Sequence, residues 1–116
     1  MKANSILKLI PVKELEFLAA ETKVDYQVKK LKGSSIFRLI LYSMLNSTKV
    51  SLRIMEHFYN SATFKQFTGE NHNSTKYNSL SDRIASINSE YFEKIFHLLS
   101  KKFSHLLKEY SLIVQW

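Results

Sequence analysis

Residues 34–47, SSIFRLILYSMLNS, decide the fold class. Ile36, Phe37, Leu39, Ile40, Leu41, Met44 and Leu45 cover almost every side of a helical wheel, interrupted by Arg38, Tyr42 and Ser43. A helix apolar nearly all round belongs inside a globule. With about fourteen residues and Arg38 among them, the stretch falls short of the roughly 20 apolar residues that span a bilayer. Gly33 stops what precedes it, and Ser34 or Ser35 offers a side-chain oxygen to the exposed amides of the first turn. The expectation is an all-α fold, a small multi-helix domain around a buried central helix.

Working outward from this helix, residues 4–10 suit one or two helical turns ending before Pro11. Pro11 suits the start of a second helix, VKELEFLAAETK, with Glu14 and Glu16 at its electropositive end. Leu15, Leu18 and Ala19 make its apolar stripe, with Phe17 flanking. Residues 23–33, KVDYQVKKLKG, carry four lysines and read as a loop or short extended segment. Beyond the central helix, Ser51 caps SLRIMEHFYN, whose Leu52, Met55 and Phe58 or Tyr59 recur every three to four residues. SATFKQFTG is a short helix with Phe64 and Phe67 on one side, closed by Gly69. Residues 70–78 are polar and read as a loop. Asn78 or Ser79 then caps LSDRIASIN, with Leu80, Ile84 and Ile87 inward.

From Ser89 the longest helix runs to Tyr110, its stripe formed by Phe92, Ile95 or Phe96, Leu99, Phe103, Leu106 and Tyr110. The closing SLIVQW reads as a β-strand cut off as it begins. The organisation expected is therefore a helical domain over residues 1–110, with 111–116 the start of a further domain.

The composition narrows the function classes. A chain of 116 residues, 45% hydrophobic with two glycines, fits one domain with a real core and not a disordered segment. It has no cysteine, which excludes disulfides and thiolate metal sites. MKANSILKLIP has an apolar patch broken by Lys8, so it is no signal peptide and the default location is cytoplasmic. No stretch is apolar enough to expect a membrane partner. Lys and Arg number 17 against 10 Asp and Glu, a net charge of +7 that points to polyanions.

Catalytic chemistry finds little support. His97 and His105 share a helix face without a third ligand, and His57 follows Glu56 outside any H-E-x-x-H pattern. The ten acids are scattered, whereas two-metal phosphoryl chemistry needs them clustered. No glycine-rich phosphate loop exists. The reading is of a chain that is no enzyme by itself, with no catalytic residue, metal ligand or cofactor. Most aromatic residues stand at core spacing, Tyr26, Tyr42 and Tyr77 being the exceptions beside polar residues.

The order of helix 34–47, short turn, helix 51–60, loop and helix 79–88 fits a helix-turn-helix unit, whose last member enters the major groove. Its leading edge, STKYNSLSDR, is rich in groups that bond phosphates and base edges. A plain amphipathic helix with a polar outside accounts for the same residues.

The runs KVSLRIMEHFYNSATFKQFTG and TKYNSLSDRIASINSEYFEKIF resemble the N-terminal region of DDE insertion-sequence transposases, the fourth-numbered insertion-sequence family. Ser51, Leu52 and Arg53 match that group's S-L-R helix, and Ser79, Leu80 and Ser81 its S-x-L-S-x block. The resemblance implies a transposase domain that binds double-stranded DNA at transposon ends. It also implies a ribonuclease-H-like core beyond it, whose acidic triad is missing here. The expected contacts are Lys76, Tyr77, Asn78, Ser79, Ser81 and Arg83, with Lys29, Lys30 and Lys32 on phosphates. The alternative is a helical protein–protein interaction module, a homodimer among its forms.

Overall fold

The computed structural model describes residues 11–69 and 74–114, with side chains as far as residue 105 apart from Phe103. The helical turn expected over residues 4–10 lies outside these. Among the described residues the chain forms six helices and no strand. They are α1 (Val12–Thr22), α2 (Gly33–Asn46), α3 (Leu52–Tyr59), α4 (Ala62–Thr68), α5 (Tyr77–Ser86) and α6 (Ser89–Val114). Helix α1 packs on α2 and α6, and α2 on α3, which in turn carries α4 and α5.

Local signals set several boundaries. Ser51 Oγ accepts the Ile54 amide at 3.2 Å and opens α3; Ser61 Oγ does the same for Phe64 and opens α4. Gly69, at φ 69°, closes α4 in the left-handed region where a side chain is penalised. At the end of α1, Lys23 adopts φ 59°, with its own amide and that of Val24 turned back onto Ala20 and Ala19.

The core follows the amphipathic stripes. Leu15 and Ala19 of α1, Ile36 and Leu39 of α2, Met55 and Tyr59 of α3, and Phe64 of α4 are buried. Leu80 of α5, Ile87 just after it, and Tyr91 and Ile95 of α6 complete the interior. The Tyr42 ring stands edge-on to Phe58 and Phe64, with centroids 5.4 and 5.2 Å away, the geometry that the ring quadrupoles favour.

Several expectations need correction. Helix α2 is one-sided: Tyr42 and Ser43 turn inward, while Met44 and Leu45 at its far end are exposed. Helices α1 and α3 pack on it most closely, and Met44 and Leu45 are left outside the core. Gly33 begins this helix and does not stop what precedes it. A Cβ there would come within 2.9 Å of Val24 Cγ1 and 3.1 Å of the Tyr91 ring, so the residue is glycine for space. Neither Ser34 nor Ser35 caps α2. Asp25, eight residues upstream, accepts the Gly33 amide at 2.7 Å.

Helix α5 starts at Tyr77, earlier than Asn78 or Ser79 as caps would allow. Among the described side chains of α6, Tyr91 and Ile95 are buried and Phe96 is exposed, while Phe103, Leu106 and Tyr110 of the expected stripe lie outside them. The strand expected at 111–116 is absent over Ser111–Val114, where α6 continues. No glycine or proline interrupts residues 89–116, so helix propagation outweighs the weak β preference of Ile113 and Val114. Gln115 and Trp116 lie outside the described residues. No helix among the described residues is long and apolar enough to cross a membrane.

Candidate nucleic-acid interface

Helix α3 fixes the entrance to α5 through three side chains one turn apart. Asn60, just past α3, clasps Thr75 with two bonds: its Nδ2 donates to the Thr75 carbonyl and its Oδ1 accepts the Thr75 amide, both at 2.9 Å. Glu56 Oε2 accepts the Tyr77 amide at 2.8 Å and serves as the cap that α5 lacks from its own sequence. The Arg53 guanidinium lies 4.7 Å from the centre of the Tyr77 ring, in cation–π contact.

Lys76 sits between the two clamped residues, and its backbone position is therefore defined while its side chain is exposed. Tyr77, Asn78 and Ser79 are exposed beside it, and Ser81 is half-buried. Asn78 turns its Oδ1 onto the Ser79 amide at 3.1 Å, which leaves its side-chain amide nitrogen to the outside. Arg53, Glu56 and His57 of α3, with Asn60 and Ser61 just after it, line an open groove next to this edge.

Arg83 departs from the expected set. Its side chain is 9% exposed and points away from this edge, into loop 23–32. Nε donates to the Leu31 carbonyl at 2.7 Å, and Nη2 to the Val24 carbonyl at 3.1 Å and Asp25 Oδ1 at 2.9 Å. Nη1 donates to Ser86 Oγ at 3.1 Å. These donors are committed inside the protein, and Arg83 tethers the lysine-rich loop to α5. Sequence spacing gives no sign of this, because the Leu31, Val24 and Asp25 acceptors lie 52, 59 and 58 residues away.

The loop lysines divide. Lys29 and Lys30 are exposed and make no ion pair among the described residues. The Lys32 ammonium folds back onto the Val28 carbonyl of its own loop. Elsewhere, Lys94 and Lys102 of α6 pair with Glu21 and Glu14 of α1 at 2.5 and 3.2 Å, and the Glu21 hydrogen bond holds the Lys94 ammonium above its ordinary pKa.

The structure thus gathers Lys76, Tyr77, Asn78 and Ser79 on one edge and adds Arg53, Glu56 and Asn60 as the residues that position it. Glu56 and Asn60 carried no sequence signal, because their partners lie 21 and 15 residues away. Among the described residues no three His, Asp or Glu side chains gather as a metal-binding group. Comparison with protein-family models, with curated proteins and with solved structures finds no match.

Proposed function

We propose that this chain binds double-stranded DNA through the start of α5 and the adjoining face of α3. The observation that carries the reading is the fixed presentation of Lys76 and Tyr77, clasped by Asn60 and Glu56 and backed by Arg53. A cation held on a rigid backbone beside hydroxyl and amide donors suits phosphate oxygens, which take most protein–DNA hydrogen bonds. The net charge of +7 supplies long-range attraction. In this reading α3 and α5 act as a helix-turn-helix-like pair, with the first residues of α5 toward the duplex. The resemblance of the SLR and SLS segments to insertion-sequence transposases supports transposon ends as the natural site. The chain's part is binding, and bond cleavage belongs to a separate catalytic unit.

Fluorescence anisotropy with a labelled duplex over a salt series tests the proposal. Affinity should fall with salt, and Lys76→Ala and Arg53→Ala should each weaken binding and lower the log–log slope by about one. Duplex binding that neither substitution changes would refute this interface.

Met44, Leu45 and Val50 favour the second reading, a protein-interaction module, because they leave apolar surface exposed around the end of α2. A stable dimer lost in Met44→Asp and indifferent to duplex DNA would support that reading over the first.

A further inference from the structure

Loop 23–32 is built more rigidly than a solvated lysine loop needs to be. Gln27 and Leu31 hold φ values of 58° and 54°, the left-handed region that side chains disfavour, as does Lys23 at its start. Such conformations persist only where surrounding contacts over-determine them, and they concentrate at functional sites. Here the contacts are the Arg83 fork onto Leu31, Val24 and Asp25, and the Asp25 bond to the start of α2.

This frame carries an aromatic ring outward. Tyr26 is 72% exposed, next to the anchored Asp25. With Lys23, Asp25 and the α1 residues Glu16, Ala19 and Ala20, it lines a groove of about 320 Å³. The methyl groups of α1 give the groove an apolar floor. Lys23, Lys29 and Lys30 stand exposed around the loop. The Asp25 carboxylate is matched by Arg83, so of the groove's acids only Glu16 opposes those cations. An exposed ring amid mobile cations is how proteins grip single-stranded nucleic acid: the ring stacks on an unpaired base and the lysines follow the backbone.

We propose that loop 23–32 is a docking site for a single-stranded nucleic acid segment, with Tyr26 stacking on one unpaired base and Lys23, Lys29 and Lys30 holding the neighbouring phosphates. Glu16 at the groove rim is placed to accept a hydrogen bond from a base amino group. The inference rests on the nucleic-acid reading above and extends it from paired to unpaired strands, such as the frayed or overhanging end of a duplex.

The test uses the full chain, labelled probes and anisotropy at one low salt concentration. The probes are a blunt duplex, the same duplex with a single-stranded extension, and an oligothymidine. Binding of the extended duplex and the oligothymidine should exceed that of the blunt duplex. Tyr26→Ala should lower affinity for the two unpaired probes by roughly five- to 150-fold and leave the blunt duplex unchanged, since stacking is worth about 1–3 kcal/mol per base. Tyr26→Trp should retain the binding, and both variants should keep the wild-type melting temperature because the ring is exposed. Equal affinity of Tyr26→Ala and the wild type for oligothymidine would overturn the inference. So would competition by polyglutamate as effective as competition by unlabelled oligothymidine, which would mark the loop as a site for any polyanion. If the blunt duplex fails to bind while oligothymidine binds through Tyr26, the duplex interface is refuted and the loop site stands.

Discussion

Replacing Arg83 with methionine keeps most of the side-chain volume in the loop interior but removes every donor that holds loop 23–32 to α5. The Val24 and Leu31 carbonyls lose their charged partner, and Asp25 keeps only the Gly33 amide. Breaking a buried pair by deleting one member costs about 3–5 kcal/mol, because the surviving charge stays in place without compensation. The Asp25 side chain is 22% exposed, so water relieves part of that cost and the lower end applies, about 3 kcal/mol. For a domain of this size each kcal/mol moves the melting temperature by about 4 °C, giving a drop of about 12 °C. Arg83→Lys should recover little, since one ammonium cannot serve carbonyls and a carboxylate in three directions. The assay is thermal unfolding by circular dichroism, joined with Asp25→Asn in a double-mutant cycle whose coupling should reach about 1 kcal/mol or more. A loss below about 1 kcal/mol in Arg83→Met would refute the tether. A stable Arg83→Met protein with weakened duplex preference would return Arg83 to the DNA interface.

Two further predictions concern the core. Ser43 is fully buried on α2 and its hydroxyl has no hydrogen-bond partner, so Ser43→Ala removes an unmatched polar group and should raise the melting temperature, by up to about 1 kcal/mol of stability. The Tyr91 phenol is raised well above its ordinary pKa, first by burial and then by the Asp25 charge, with Arg83 acting in opposition. Its stabilising contribution is therefore complete below the unfolded-state value of 10.0 and is lost as pH climbs from there toward the folded value. Tyr91→Phe should accordingly move the midpoint of alkaline unfolding upward, as followed by circular dichroism.

What could be read from the sequence was what lies within one helical turn. Ser51, Ser61 and Gly69 mark helix ends because their partners are three or four residues away. The all-α character follows from similar short-range periodicity. The starts of α2 and α5 were misread because each is capped by a carboxylate from a distant element, Asp25 and Glu56. The Arg83 tether is hidden from the sequence for the same reason, its acceptors lying as many as 59 residues earlier. Tyr42 and Ser43 interrupt the apolar run by residue type, yet both are buried, Tyr42 against the Phe58 and Phe64 rings. Within the candidate site, the exposure of Lys76, Tyr77, Asn78 and Ser79 was legible, and the residues that hold them in place were not.

The pairing of α1 with α6 has a consequence for biosynthesis. Glu21 meets Lys94 at a sequence separation of 73, and the buried Tyr91 reaches the Leu15 carbonyl at a separation of 76. Helix α1 emerges from the ribosome long before either partner, and the part of it that faces α6 stays uncovered until α6 has been made. At about 5–20 residues per second that interval lasts several seconds, far longer than a helix takes to form. During it the nascent chain exposes apolar surface of α1 that a chaperone can bind, and closure of α1 against α6 hides it.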